Sequence, residues 1–328
     1  MKPAILVARA IYPDTLDRLR AHFDVDHNQA DEVFAPAELI RRLAGKVGAL
    51  TTGSERIDAA VLDAHPQLRV VANMAVGYNN FDIDAFDARG VLATNTPDVL
   101  TETTADFGFA LMMAAARRMS ESERYLREGH WTKWRYDMFT GSDVHGATLG
   151  ILGMGRIGQA IARRGALGFG MRVIYHNRSR LPADQEAPIG ARYVDKATLL
   201  AEADHLVLVL PYSPESHHAI GAAQLATMKP TATLTNIARG GIVDDAALIE
   251  ALGAGRIAAA GLDVFEGEPR LNPGLLALPN VVLTPHIASA SERTRRAMAD
   301  LAADNLIAAL TGGEPPTPIN PQVRARRA

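Results

Sequence analysis

Three residues that could do chemistry follow apolar runs late in this chain. They are Arg239 in Thr235-Asn236-Ile237-Ala238-Arg239-Gly240-Gly241-Ile242-Val243-Asp244, Glu268 in Gly261-Leu262-Asp263-Val264-Phe265-Glu266-Gly267-Glu268-Pro269, and His286 in Thr284-Pro285-His286-Ile287-Ala288-Ser289. A guanidinium can hold a carboxylate and polarise a carbonyl, and an imidazole can exchange a proton near neutral pH. Singly, each has a plainer reading as an ion pair, a turn or a hydrogen-bonded core histidine. Their common setting, downstream of Thr148-Leu149-Gly150-Ile151-Leu152-Gly153-Met154-Gly155-Arg156-Ile157-Gly158, favours the chemical one.

That stretch reads as a strand, a glycine-rich turn and a helix continued by Gln159 to Arg164, the arrangement that docks a dinucleotide pyrophosphate. Gly153 permits the tight turn, Gly155 lets backbone approach the phosphates, and Gly158 lets helix and strand pack closely. Amides at the helix start, from Arg156 and Ile157, then face the anion. NAD-binding folds place an Asp or Glu about 20 residues downstream, on the ribose. Here the second strand, Met171 to His176, runs out into Asn177-Arg178-Ser179-Arg180, with no carboxylate until Asp184. A guanidinium suits a phosphate that a carboxylate would repel. The expected cofactor is therefore NADP(H), with NAD(H) as a second possibility. Arg178 and Ser179 are its 2′-phosphate ligands, Asn177 lies beside them, and solvated loop arginines are the alternative.

At 328 residues the chain exceeds the size at which one core usually keeps growing, so two domains are expected. Hydrophobic residues at 48% and charged residues at 22% are ordinary globular usage. A net charge of −3 leaves no basic footprint for nucleic acid. The absence of cysteine excludes disulfides, thiol catalysis and thiolate metal sites, and suits a cytoplasmic enzyme. No metal is expected. Neither Ala4 to Ala8 nor Phe107 to Ala116 is long enough to cross a membrane; they read as a buried strand and a buried helix joining two domains.

Strands and helices alternate, which predicts parallel sheets with helices on both faces. Strands are expected at 4–8, 47–51, 68–74, 148–152, 171–176, 206–210, 233–237, 258–264 and 281–283, with helices after Pro13, at 245–252 and at 291–310. The last carries an apolar stripe at Met298, Leu301, Leu306 and Leu310. The restart after Gly146 suggests a nucleotide domain inserted into the first domain. Beyond Thr311 an irregular tail is expected, with Arg324, Arg326 and Arg327 forming a solvated end.

With these motifs stand Val76-Gly77-Tyr78-Asn79-Asn80-Phe81-Asp82, Asn95-Thr96-Pro97-Asp98-Val99-Leu100-Thr101-Glu102 and Gly141-Ser142-Asp143-Val144-His145-Gly146. Together they resemble the D-isomer-specific 2-hydroxyacid dehydrogenase family, and within it the bacterial glyoxylate/hydroxypyruvate reductase B group, also called 2-ketogluconate reductases. The resemblance implies an α/β fold of two domains: a Rossmann-type NAD(P)-binding domain, 100–289, inserted into a flavodoxin-like substrate domain, 1–99 with 290–328. It also implies a cleft between them, a homodimer and a small 2-oxo or 2-hydroxy acid as substrate.

The resemblance assigns roles as well. Arg239 matches the arginine that holds the substrate carboxylate and 2-oxo oxygen, His286 the general acid, and Glu268 its paired carboxylate. Val76 and Gly77 match amides that grip the carboxylate, Asp263 a nicotinamide carboxamide contact, and Pro211 and Ala238 further cofactor contacts. Trp134 matches a tryptophan that reaches a neighbouring subunit's site, although Trp131 and Trp134 could equally pack in an interface. Met74, Tyr78 and Trp134 are candidate pocket walls. Asn79, Gly241 and Ala288 depart from the commoner Asp, Pro and Gly. Glu268 argues against formate dehydrogenases, which pair the histidine with glutamine. The chain also leaves no room for the additional regulatory domain often found in phosphoglycerate dehydrogenases. Another 2-oxo acid specificity and a nucleotide-sensing corepressor-like protein stay open.

Overall fold

The computed structural model describes residues 2–323; Arg324, Arg326 and Arg327 lie outside this range. It divides into two compact units, Met1–Leu100 with Ala290–Ala328, and Thr101–Ser289. Among the described residues no helix is long and apolar enough to cross a membrane.

The first unit holds five parallel strands: β1 (Ala4–Val7), β2 (Asp24–His27), β3 (Gly48–Thr51), β4 (Val70–Asn73) and β5 (Leu92–Thr94), in the order β2-β1-β3-β4-β5. This is the flavodoxin-like doubly wound order. Side chains alternate between two cores, as the period of a strand requires. Ile5, Val7, Leu50, Val70 and Ala72 meet Leu16 and Leu19 of the helix Pro13–His22 and Ala302, Ala303 and Leu306 of the helix Glu292–Thr311. Leu6, Ala49, Val71 and Ala93 meet Leu39, Leu43, Leu62 and Phe86 on the opposite face. Half of what the long C-terminal helix buries is alanine: Ala299, Ala302, Ala303 and Ala309 lie inward with Met298 and Leu306, whereas Leu301 and Leu310 are only half-buried. A stripe of large residues thus marks only part of the packed face. Small residues bring helix and sheet together, and a Cβ on Gly48 would lie 2.9 Å from Leu310.

The second unit holds β6 (Thr148–Leu152), β7 (Arg172–His176), β8 (Arg192–Tyr193), β9 (His205–Leu208), β10 (Thr233–Asn236), β11 (Ala259–Leu262) and β12 (Val281–Leu283). All are parallel in the order β12-β11-β10-β9-β6-β7-β8. This is the Rossmann arrangement extended by one strand, and its order reverses between β6 and β9, where ligands collect beyond the strand ends. The helix Thr101–Ala116 packs on β10, β11 and the helix Arg156–Arg163 within this unit. At the other end of β9, buried His205 shares Thr233 Oγ1 at 2.8 Å through Nδ1 and Asp143 O at 2.9 Å through Nε2. A carbonyl only accepts, so Nε2 carries the hydrogen and the Thr233 hydroxyl donates to Nδ1.

Candidate active site

Parallel strands bring their carboxyl ends to one edge, so the segments after β6, β7 and β9 to β12 all open there. At β6, Gly153 has φ 103°, and a Cβ on it would meet Leu210 N at 2.5 Å; a Cβ on Gly158 would meet Gly153 O at 2.4 Å. Gly155 differs, because nothing lies within 4 Å of the place its Cβ would take. Two glycines are thus required by the protein's own packing, while the third leaves room beside bare backbone. The helix Arg156–Arg163 starts from Gly155 with no side-chain cap, and its first turn carries no acidic residue. That is the condition an incoming phosphate needs.

The segment after β7 is tied to this turn. Asn177 Oδ1 accepts from Met154 N at 2.6 Å, and Asn177 O accepts from Tyr193 Oη at 3.1 Å. Arg178 and Ser179 are exposed. Arg180 is engaged by Glu186, its Nη2 donating to Oε2 at 2.7 Å. Across from Arg178 stands Glu215, held below the usual carboxylate range first by Ser213 and in smaller part by the charge of Arg178. Pro211 is exposed past β9, its carbonyl accepting from Ser216 Oγ at 3.1 Å.

Beyond β10 to β12 the structure assembles Arg239, Glu268 and His286. His286 Nδ1 lies 2.8 Å from Glu268 Oε1. Because the ionised carboxylate only accepts, Nδ1 carries the hydrogen and Nε2 is left for other partners. Both side chains are solvent-accessible. Half-buried Arg239 donates from Nη1 to Ala238 O at 2.7 Å. Burial pulls its guanidinium below its ordinary range, against the opposing charge of Glu268; arginine is not deprotonated in proteins. The turn carrying it is closed by Asn236, whose Oδ1 takes Ala238 N at 3.0 Å and whose Nδ2 reaches Arg239 O at 3.1 Å.

Two positioning features escape a reading of the sequence. A Cβ on Gly240 would fall 1.8 Å from Phe265 O, so only glycine lets the Arg239 turn lie against the segment that leads to Glu268. Asp263, fully buried, gives Oδ1 to Thr284 Oγ1 at 2.7 Å and Ile287 N at 2.9 Å, and Oδ2 to Ala288 N at 2.9 Å. Its carboxylate thus ties down the turn that presents His286. That turn is strained, for His286 has φ 54° while its N–H is held by Asp263 O at 2.9 Å. Of the departures noted above, Ala288 is buried against Asp263, and Gly241 has φ 77°, which a proline ring cannot adopt.

In the first unit, the turn after β4 carries Val76 and Gly77. Their carbonyls are occupied: Asn95 Nδ2 donates to Val76 O at 2.8 Å and Asn73 Nδ2 to Gly77 O at 3.1 Å. Asn80 locks the arrangement by reaching Thr52 O at 3.0 Å and Glu55 O at 2.8 Å, its Oδ1 taking a second bond from Asn73. Among the described residues the N–H groups of Val76 and Gly77 have no acceptor, which leaves two adjacent donors for an anion. Met74 is half-buried, while Tyr78 and Trp134 are exposed, Trp134 edge-on to Tyr136.

Residues 109–288 match the model of the D-isomer specific 2-hydroxyacid dehydrogenase NAD binding domain. Over 98% of the chain it is 49% identical to a glyoxylate reductase of Thermococcus gammatolerans, covering 97% of that protein. Over 99% it is 47% identical to glyoxylate/hydroxypyruvate reductase B of Klebsiella pneumoniae, covering all of it (100%). A solved NADPH-dependent glyoxylate/hydroxypyruvate reductase of Sinorhizobium meliloti, in complex with NADP and malonate, superposes with a TM-score of 0.86 at 38% identity, covering 100% of both chains. This chain belongs to the D-isomer-specific 2-hydroxyacid dehydrogenases, a family of NAD(P)-dependent oxidoreductases.

Proposed function

We propose that this enzyme reduces glyoxylate and hydroxypyruvate, and 2-ketogluconate as a larger substrate, to D-2-hydroxy acids at the expense of NADPH. The observation that carries the reading is the 2.8 Å pairing of His286 Nδ1 with Glu268 Oε1, within the field of Arg239. Bound NADPH supplies the hydride to carbon 2. His286 gives the proton to the carbonyl oxygen from Nε2, since Glu268 fixes the hydrogen of Nδ1. Arg239 orients the carboxylate and polarises the carbonyl, and its partial burial strengthens both effects. In the first unit, the unpaired amides of Val76 and Gly77 suit a carboxylate.

Preference for NADP(H) over NAD(H) is supported by the exposed Arg178 and Ser179 and by the absence of any acid from 177 to 180. The relative from Sinorhizobium meliloti, solved with NADP and malonate, is consistent with both the cofactor and a small carboxylate ligand. A homodimer acting in the cytoplasm completes the proposal. Steady-state assays with NADPH and NADH against a panel of 2-oxo acids test it. If glyoxylate and hydroxypyruvate are inert with both cofactors while another 2-oxo acid turns over, the substrate assignment is wrong.

A further inference from the structure

The loop after β7 contains a device that the reaction itself does not require. Tyr175, the last fully buried residue of β7, donates from Oη to Glu186 Oε1 at 2.6 Å and accepts from Leu181 N at 2.8 Å. Arg180 closes on the same carboxylate, its Nε 3.0 Å from Oε1 and 3.2 Å from Oε2 and its Nη2 2.7 Å from Oε2. Glu186 is itself buried. Burial and the bond to Glu186 push the Tyr175 hydroxyl up to about 12, so it stays a donor. Arg180 first, and Tyr175 second, hold Glu186 below the usual carboxylate range, so it stays an acceptor. At the loop's other end, Asn177 is fixed by Met154 N and Tyr193 Oη. The segment is therefore clamped at 177 and again at 180–181; Arg178 and Ser179 are exposed between the clamps, and Arg180, exposed as well, is paired to Glu186.

We infer that Tyr175, Glu186 and Arg180 are positioning residues that set the preference for a 2′-phosphorylated cofactor by holding Arg178 and Ser179 in place. This rests on the NADPH reading above. The two arginines of Asn177-Arg178-Ser179-Arg180 then have different work: Arg180 pairs with Glu186, and Arg178 is left for the ligand. An uncompensated Glu186 would repel a phosphate, so the same pair both shapes the loop and sets its charge.

Calorimetric dissociation constants for NADP⁺ and NAD⁺ test the inference on four proteins: the wild type, Arg178→Ala, Tyr175→Phe and the double variant. Tyr175→Phe keeps the ring and every charge and removes only the hydroxyl. It should weaken NADP⁺ roughly three- to tenfold, the scale of one hydrogen bond, with NAD⁺ unchanged within twofold. In the Arg178→Ala background it should add no further loss, because the hydroxyl acts through Arg178. If the wild type does not discriminate, or Arg178→Ala weakens both nucleotides equally, the NADPH reading falls and the inference with it. If Arg178→Ala discriminates but Tyr175→Phe weakens neither nucleotide or both alike, or the two losses add, the inference alone is overturned. Should Tyr175→Phe not fold, Glu186→Gln serves: weaker NADP⁺ binding supports the clamp. Tighter binding would make Arg180 a phosphate ligand held back by Glu186, and would overturn it.

Discussion

At the end of β4, the turn through Val76 and Gly77 is held by three neutral carboxamides, those of Asn73, Asn80 and Asn95. At the ends of β10 to β12, by contrast, the turn of His286 is tied by the carboxyl of Asp263, and Glu268 both pairs with His286 and acts on the charge of Arg239. Neutral braces fix backbone donors without adding charge, so a carboxylate would meet only N–H dipoles there. Charged braces serve where the bound groups must exchange protons or polarise a bond. On the proposed reading, the difference separates holding an anion from transforming it.

The comparison breaks most visibly at His286. His286→Gln should leave NADPH binding intact and lower kcat by ~10²–10⁴-fold, the usual scale for a positioned acid; single-turnover reduction measures it, and undiminished turnover would mean another group donates the proton. Next comes the cofactor: Arg178→Ala should raise KM for NADPH by roughly 10- to 150-fold, the worth of a charged hydrogen bond, with far less change for NADH. Equal losses with both cofactors would remove Arg178 from the phosphate site.

Asn95→Ala sharpens the neutral side of the comparison. Freeing the Val76 carbonyl loosens the turn, and one neutral hydrogen bond is worth roughly 1 kcal/mol, so KM for the 2-oxo acid should rise about fivefold with kcat little changed. A fall in kcat as large as that of His286→Gln would show that the turn takes part in the chemistry. The smallest effect concerns stability. Burial holds His205 below its ordinary value, so the fold favours its neutral form. That contribution is fully present above about pH 6.5, the unfolded value, and is lost as pH falls from there toward the folded one. Tm should therefore drop between pH 7.5 and 5.5, and drop less in His205→Gln; parallel curves would assign the acid sensitivity elsewhere.

Much of the architecture is legible in the sequence because interior strands of a parallel sheet are buried on both faces and so mostly apolar. Residues 148–152 and 205–208 are buried end to end. The strands that escape notice are β2, β5 and β8, all at sheet edges. β2 reads Asp-Val-Asp-His and β8 is only Arg192–Tyr193; short, charged edges avoid unwanted pairing, which removes the apolar signal a reader relies on. The candidate site divides in the same way. Arg239, Glu268 and His286 are visible because ionisable residues follow apolar strands. The asparagine brace and the demand for Gly240 arise from contacts between segments about 20 to 30 residues apart, and the clamp on Glu186, though within 11 residues, depends on how the loop after β7 turns back; nothing in the spacing alone announces them. Asp263 shows the limit well: the resemblance marks it as a cofactor contact, but only the fold reveals that its oxygens also tie down the turn of His286.

The left-handed backbone of His286 carries a consequence for engineering. A residue with a Cβ gives up roughly 1–2 kcal/mol in that conformation, which glycine avoids and asparagine tolerates better. Selection for heat resistance alone would thus favour glycine or asparagine at position 286 and, if the proposed role is right, would yield a sturdier but inactive protein. Thermostabilisation of this enzyme is better directed at exposed positions on helices away from this turn, such as Met119–Arg127, which buries no residue, with turnover screened at every round.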